Sequence, residues 1–335
     1  MVKVAINGFG RIGRMVFRAG IDNPNIEWVA INDLMDAEQL AYLLKKDSVH
    51  KSLNKQIKTG HDALIIDNKR VELFNEKDPK NLPWDELNID VVIESTGLFT
   101  KKELAAKHLK AGAKKVFISA PSDDCDFMIV KGVNEHDYDR EKHHIISNAS
   151  CTTNCMAPVA KVINDNYRIK RGFMTTIHAA TSTQNPVDGP NKKDMRRGRS
   201  CMVNMVPTST GAAKAVVRVI PELKGKLDAM AIRVPIVNGS IIDLVAETEK
   251  NVSAEEVNKL FENVAEHHLK NVIEYTEEPI VSTDIIGNSH SAVFDASLTK
   301  TINIEYGTII KVLAWYDNEW GYSCRMIDLI PLLVR

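Results

Sequence analysis

The chain has 335 residues, 44% hydrophobic and 26% charged, with 43 Lys and Arg against 44 Asp and Glu and a formal net charge of -1. That length accommodates two domains of about 150 residues, each able to bury its own core. The near-neutral balance excludes a whole-chain positive field that would attract nucleic acid or an acidic membrane surface. Five cysteines, an odd number in so long a chain, read as a reducing cytosol and not as a disulfide framework. The N-terminus opens directly on a strand pattern without a signal-like apolar region, and no window of about 18 apolar residues follows. Neither secretion nor a membrane-spanning helix is expected, and the location expected is cytoplasmic.

In the first half, β-rich runs alternate with amphipathic segments, the pattern of a parallel sheet with crossover helices. Strands are predicted at residues 2–6, 27–31, 90–94, 115–119 and 144–147, and helices at 11–22 and 101–111, the second closed by Gly112. Asn7-Gly8-Phe9-Gly10-Arg11-Ile12-Gly13 falls between the first strand and the first helix, the context a GxGxxG needs before it signifies a dinucleotide. Glycines there let the backbone turn tightly and approach a pyrophosphate, whose charge a helix N-terminus favours. Asp33 ends the second strand, 20 residues after Gly13. A carboxylate there can accept hydrogen bonds from ribose hydroxyls and repel a 2'-phosphate, which favours NAD over NADP. The alternative is a glycine turn with a solvated aspartate. Lys77 stands either near the adenine end or as a plain surface lysine.

Cys151, in Ser150-Cys151-Thr152-Thr153-Asn154-Cys155, precedes an apolar-periodic stretch, and His178 follows 27 residues later at the end of a strand-like run. Only about 3% of a thiol with the ordinary pKa is ionised at pH 7. A helix N-terminus and a nearby imidazolium would both lower that value. A buried structural cysteine is the other reading at this point. Cys155, one turn on, is expected to be a buried helix residue.

After Cys151 the texture changes. Helices are predicted at about 152–166 and 210–219, and longer β-branched runs at 173–179, 229–234, 241–248, 291–298 and 308–316, which suggest a mixed or antiparallel sheet with helices on one face. Ser253 and Glu256 form a capping box ahead of an apolar stripe of Val257, Leu260, Phe261 and Val264. Residues 181–207 read as a long loop, of the kind that is usually functional. It holds the dense basic run Lys192-Lys193-Asp194-Met195-Arg196-Arg197-Gly198-Arg199, either solvated or holding an anion.

With a dinucleotide motif and a poised cysteine in one chain, a family resemblance emerges. The chain resembles the phosphorylating glyceraldehyde-3-phosphate dehydrogenases along essentially its whole length. The likeness rests on Asn7 to Gly13, on Ser147-Asn148-Ala149-Ser150-Cys151-Thr152-Thr153-Asn154-Cys155, on Pro207-Thr208-Ser209-Thr210-Gly211-Ala212-Ala213-Lys214, and on Ala314-Trp315-Tyr316-Asp317-Asn318-Glu319-Trp320-Gly321-Tyr322-Ser323. The resemblance implies a Rossmann-type doubly wound parallel sheet in a cofactor domain of residues 1–150 plus 319–335. It implies an α+β catalytic domain with a mixed or antiparallel sheet at 151–318.

It further implies that Cys151 attacks the aldehyde, that His178 lowers the thiol pKa and assists proton transfer, and that NAD is held by Gly8, Gly10, Arg11, Ile12, Gly13, Asp33, Lys77, Ser119, Asn318 and Tyr322. Inorganic phosphate maps to Ser150, Thr152, Thr210 and Gly211. The terminal phosphate of glyceraldehyde 3-phosphate maps to Thr181, Arg197 or its neighbour Arg196, and Arg233, where a planar guanidinium fork suits phosphate oxygens. The tail holding Met326, Ile327, Leu329, Ile330 and Leu333 is expected to pack on the first domain. No metal has an evident task, and a homotetramer is expected.

The run Arg199 to Met205 departs from the small, alanine-rich segment expected there, and Ser122 to Asp126 departs as well. Rival readings are an erythrose-4-phosphate dehydrogenase, against which Thr181 and Arg233 weigh, and a binding or redox-sensing protein holding nucleic acid at the dinucleotide groove. The second is disfavoured by the charge balance.

Overall fold

The computed structural model describes residues 1–192 and 194–334; Lys193 of the basic run and the final Arg335 lie outside the described residues. Packing divides the chain into two compact units. One comprises Met1–Ile129, His136–Ala149 and the residues from Ser323 on; the other comprises Val130–Glu135 and Ser150–Tyr322.

The described residues of the first unit form strands β1 (Val2–Asn7), β2 (Ile26–Asn32), β3 (Ile57–Gly60), β4 (Ala63–Ile66), β5 (Lys69–Phe74), β6 (Val91–Glu94), β7 (Lys115–Ile118), β8 (Phe127–Met128) and β9 (Ile145–Ser147). Helices α1 (Arg11–Gly20), α2 (Ala37–Lys45) and α3 (Lys102–Lys110) accompany them. The sheet order is β3-β4-β5-β2-β1-β6-β7-β9-β8. From β5 to β8 the pairs are parallel, while β3, β4 and β5 pair antiparallel. Strands β6 and β7 are buried along their whole length, as a parallel sheet requires, and each carries three successive apolar residues beside one buried charged residue, Glu94 or Lys115.

The antiparallel meander and α2 were not among the predicted elements. β3 carries one apolar residue in four, too few for a period to emerge. The turn between β4 and β5 did leave a trace: Asp67 and Asn68 both take positive φ, 44° and 69°, the two-residue hairpin turn that such side chains tolerate. Gly112 closes α3 as expected. Its φ is +103°, and a Cβ there would lie 2.3 Å from the Asp85 side chain.

In the second unit the strands are β10 (Ile169–Ala179), β11 (Val206–Ser209), β12 (Leu227–Val234), β13 (Ser240–Thr248), β14 (Ile273–Thr276), β15 (Ala292–Asp295), β16 (Lys300–Ile304) and β17 (Gly307–Tyr316). The helices are α4 (Cys151–Tyr167), α5 (Ala212–Val219) and α6 (Ala254–Glu266). The sheet is mixed, in the order β11-β12-β10-β13-β17-β15-β14 with β16 beside β17.

The strand predicted at 291–298 stops at Asp295 and turns into a 3-10 turn, Ala296–Leu298. The Asp295 carboxylate accepts from Ser297 Oγ at 2.6 Å and from Trp315 Nε1 at 3.0 Å, and these bonds take the chain off the strand course. Both halves of the Ser253–Glu256 capping box form, and Val257, Phe261 and Val264 are buried with Leu260 half-buried.

The last helix, α7 (Trp320–Val334), carries its apolar residues into the first unit. Met326, Ile327, Leu329, Ile330 and Leu333 are buried there, and Gly20 has no room for a Cβ because Ile327 Cδ1 would lie 2.6 Å from it. Among the described residues no helix is long and apolar enough to cross a membrane.

Candidate active site

The first unit's strand order reverses at β1, where the chain moves to β2 on one side and to β6 on the other. A crevice forms outside the carboxyl ends of the strands at such a switch point. Here it is a cavity of about 500 Å³ lined by Asn7, Gly8, Gly10, Asp33, Lys77 and Thr96, among others. It brings together four of the residues expected at the cofactor and adds Asn7, which opens the motif, with Asn32, Ser95 and Thr96, none of which was expected to hold the cofactor.

The glycines have distinct reasons. Gly8 has φ +92°, and a Cβ would stand 2.6 Å from the Thr96 nitrogen; a Cβ on Gly13 would stand 2.2 Å from the Gly8 carbonyl oxygen. Around the Cβ position of Gly10 nothing lies within 4 Å. Gly10 caps α1 with no side-chain hydrogen bond, so the first N–H groups of that helix face an open cradle suited to a pyrophosphate. Asp33 accepts from the Phe9 N–H at 2.7 Å and from the Met35 N–H at 3.1 Å, which fixes its carboxylate at the rim.

Arg11 turns its guanidinium onto Asp47. Burial pushes the Asp47 carboxyl up, but the His50 and Val49 N–H groups and Arg11 outweigh it and hold the pKa at about 2. Ile12 and Gly13 follow Arg11 in the first turn of α1. Ser119 stands just past β7, its N–H donated to the Glu94 carbonyl at 2.9 Å.

In the second unit Cys151 is the first residue of α4. Ser150 caps that helix, its hydroxyl accepting from the Thr153 N–H at 3.1 Å. Cys151 Sγ lies 3.4 Å from His178 Nε2. The parallel register of β10 and β12 sets Arg233 beside His178, with Arg233 Nη1 2.6 Å from His178 Nδ1. That nitrogen is also 2.8 Å from the Ala179 carbonyl oxygen, which Arg233 Nη1 reaches at 3.1 Å. Nδ1 can accept from the guanidinium or donate to the carbonyl, and the choice decides whether Nε2 offers the thiol a proton or takes one.

The electrostatics differ from the sequence expectation of an imidazolium beside the thiol. Burial, with the Arg233 cation second, lowers the His178 pKa to about 3, so the ring is neutral. Burial pushes the Cys151 thiol up, opposed by Arg233 and by hydrogen bonds from Thr152. The cation acting on the sulfur is therefore Arg233, because a charged imidazole would sit desolvated against a guanidinium.

Around this pair, the Thr152 hydroxyl lies 2.9 Å from Tyr316 OH, which in turn lies 2.8 Å from Thr176 Oγ1. The Tyr316 ring stands edge-on to His178. Thr210 Oγ1 accepts from the Ala212 N–H at 3.3 Å, and Gly211 caps α5 without a side-chain bond. Thr181 bonds Thr183 through their hydroxyls at 2.9 Å.

Of the two loop arginines, Arg197 turns inward. Its Nε donates to Thr208 Oγ1 at 2.9 Å and its Nη2 to the Ser209 carbonyl at 3.2 Å, and its charge lowers the pKa values of both His178 and Arg233. Arg196 is exposed, and Arg199 pairs with Asp188 at 2.9 Å. Asn318 is buried, its Oδ1 accepting from Ser240 Oγ at 2.8 Å, while Ser240 Oγ accepts from the Ala179 N–H at 3.1 Å. Tyr322 is buried at the end of this unit.

The family model "Glyceraldehyde 3-phosphate dehydrogenase, NAD binding domain" matches residues 2–102, and that of the C-terminal domain matches residues 150–318. A glyceraldehyde-3-phosphate dehydrogenase of Geobacillus stearothermophilus is 55% identical over 328 residues, covering 98% of this chain and 97% of the relative. The chain belongs to the glyceraldehyde-3-phosphate dehydrogenase family. Glyceraldehyde-3-phosphate dehydrogenase 1 of Bacillus subtilis (strain 168) is 53% identical over the whole chain and 98% of the relative. Glyceraldehyde-3-phosphate dehydrogenase 1 of Nostoc sp. is 52% identical over the whole chain and 97% of the relative. The family's NAD-binding model covers the glycine cradle and Asp33, and its C-terminal model covers Cys151, His178 and Arg233.

Sequence reading of the thiol site missed Tyr316 and Ser240. Tyr316 was visible in the stretch 314–323 that carries the family likeness. Ser240 had no signal, because a lone serine at a strand start acquires meaning only from what the sheet sets beside it.

Proposed function

We propose that the chain catalyses NAD-dependent oxidative phosphorylation of D-glyceraldehyde 3-phosphate to 1,3-bisphosphoglycerate through a thioester on Cys151. The observation that carries the reading is the 3.4 Å approach of Cys151 Sγ to His178 Nε2 at the first residue of α4, a helix N-terminus capped by Ser150. The sulfur adds to the aldehyde carbon while Nε2, in the tautomer whose Nδ1–H faces the Ala179 carbonyl, takes the thiol proton. A substrate phosphate that draws Arg233 off Nδ1 favours that tautomer. The C–H bond of the resulting hemithioacetal carbon then breaks and C=O re-forms as the thioester, with the thiol proton left on His178 Nε2; NAD, when bound, would supply the two-electron acceptor for that hydride. An oxygen of inorganic phosphate then attacks the thioester carbon, the C–S bond breaks, and Cys151 is released as the acyl phosphate leaves.

In this reading Gly8, Gly10, Arg11, Ile12, Gly13, Asp33, Lys77 and Ser119 hold the cofactor's first-unit side; Arg11 contributes its backbone, since its guanidinium is engaged by Asp47. Asn318, oriented by Ser240, addresses the nicotinamide amide, with Tyr322 behind it. Ser150, Thr152, Thr210 and Gly211 hold the attacking phosphate, and Thr181, Arg197 and Arg233 the substrate's own. The functional division is 1–150 plus 319–335 for the cofactor and 151–318 for the chemistry. Exposed Met202, Val203 and Met205 in the long loop support assembly of copies, proposed as a homotetramer and tested by sedimentation. Five free cysteines accord with a cytoplasmic setting.

The test is a steady-state assay of glyceraldehyde 3-phosphate and erythrose 4-phosphate, each with and without inorganic phosphate. Turnover of the three-carbon substrate that depends on phosphate is the expected result. A negligible phosphate requirement or a preference for the four-carbon sugar overturns the reading.

A further inference from the structure

Beneath the dinucleotide cradle lies a buried polar network that the chemistry at Cys151 does not use. Glu94 ends β6, and its carboxylate is buried. Oε2 faces Asn7 Nδ2 at 2.6 Å and His108 Nε2 at 3.1 Å, and Oε1 accepts from the Thr96 N–H at 2.8 Å and from the Thr96 hydroxyl. On the far side of the imidazole, Trp84 Nε1 lies 3.0 Å from His108 Nδ1. An indole nitrogen can only donate, so Nδ1 accepts, the ring's proton sits on Nε2, and His108 donates to Glu94. Trp84 thus selects the tautomer that the carboxylate needs.

The network continues into the cradle. Asn7, whose amide nitrogen serves Glu94, uses Oδ1 to accept from Asn32 Nδ2 at 2.7 Å. Asn32 also clasps Glu76, donating to its carbonyl at 2.9 Å and accepting from its N–H at 2.8 Å. One chain of bonds therefore joins the carboxyl ends of β6, β1 and β2 to the segment after β5 that carries Lys77. Asn7, Asn32, Glu76, Lys77 and Thr96 all line the cradle. With every acceptor matched to a donor, the relative placement of these loops is set before a ligand arrives.

We propose that Glu94, His108 and Trp84 are positioning residues for NAD, a tautomer relay that holds Asn7 and Thr96 in the geometry the cofactor requires. The inference rests on the cofactor reading above. Glu94→Gln puts an NH2 where an acceptor stood, and whichever way the amide turns it meets donors. Trp84→Phe removes the indole N–H together with the volume of one buried ring, and frees His108 to change tautomer.

The experiment is titration of the full chain with NAD, followed by tryptophan-independent calorimetry. Glu94→Gln raises the Kd about tenfold or more, and Trp84→Phe raises it about threefold. The double variant binds NAD more tightly than Glu94→Gln alone, because His108 can then turn an acceptor toward the new amide. A merely structural role predicts the opposite sign, since two core defects add. Wild-type affinity in Trp84→Phe, or in a folded Glu94→Gln, overturns the relay, as does a double variant weaker than Glu94→Gln. A wild-type chain that takes up no NAD overturns the cofactor reading as well.

Discussion

Arg233 Nη1 stands 2.6 Å from His178 Nδ1, the two residues facing each other across the parallel pair of β10 and β12. Burial makes a charged imidazole unfavourable, and a cation at that distance adds to the effect. Arg233 therefore acts on both side chains: with burial it keeps the His178 ring neutral, and its charge opposes the upward push of burial on the Cys151 thiol.

Cys151→Ser abolishes aldehyde oxidation while NAD binding persists. A hydroxyl at the same place is far less acidic than a thiol, and the cradle glycines are untouched. Stopped-flow measurement of NADH formation, paired with NAD titration, checks this; normal turnover by the variant refutes the nucleophile.

The pH dependence of stability follows from the neutral ring. His178 binds its proton near pH 6.5 when unfolded and only near pH 3 when folded. Between those values the unfolded chain carries a proton that the folded chain lacks, so stability present above pH 6.5 is lost as the pH falls, by about 1.4 kcal/mol per unit. Urea melts at pH 7 and pH 5.5 should show wild type losing more than His178→Asn. Equal losses would remove the neutral-ring account.

Arg197→Ala raises the KM for glyceraldehyde 3-phosphate by about tenfold or more, whereas Arg196→Ala changes it by less than about threefold, the difference between a directed guanidinium and a solvated one. Initial-rate kinetics on both variants decides, and a larger effect at Arg196 would reverse the assignment.

Asp33→Gly weakens NAD and strengthens NADP, shifting the ratio of their kcat/KM values by roughly tenfold or more, because the carboxylate that meets ribose hydroxyls also repels a 2'-phosphate. Comparing the two cofactors on wild type and variant tests it. An unchanged ratio would place discrimination elsewhere on the rim.

The glycine motif, Asp33, the capping box and the apolar stripe of α6 were legible because each is a local pattern read within one or two turns of chain. The antiparallel meander of β3 to β5 was not, since its short strands alternate too weakly to reveal a period. The strand predicted through residue 298 ran too far because apolar Ala296 and Leu298 continue past Asp295. Its end is set by bonds from Ser297 and from Trp315, and the second of these partners is distant in sequence.

The sequence alone determined the fold class and the dinucleotide motif and singled out Cys151 and His178, which the structure sets 3.4 Å apart, since these depend on residue type and near spacing. Only the tertiary structure decided the charge on that histidine, the inward turn of Arg197 over Arg196, and the joining of Glu94, His108 and Trp84 beneath the cradle. Those depend on sheet register and on burial. Residues 55 apart, such as His178 and Arg233, become neighbours only when strands pair, and a proton's energy is fixed by the water that pairing removes.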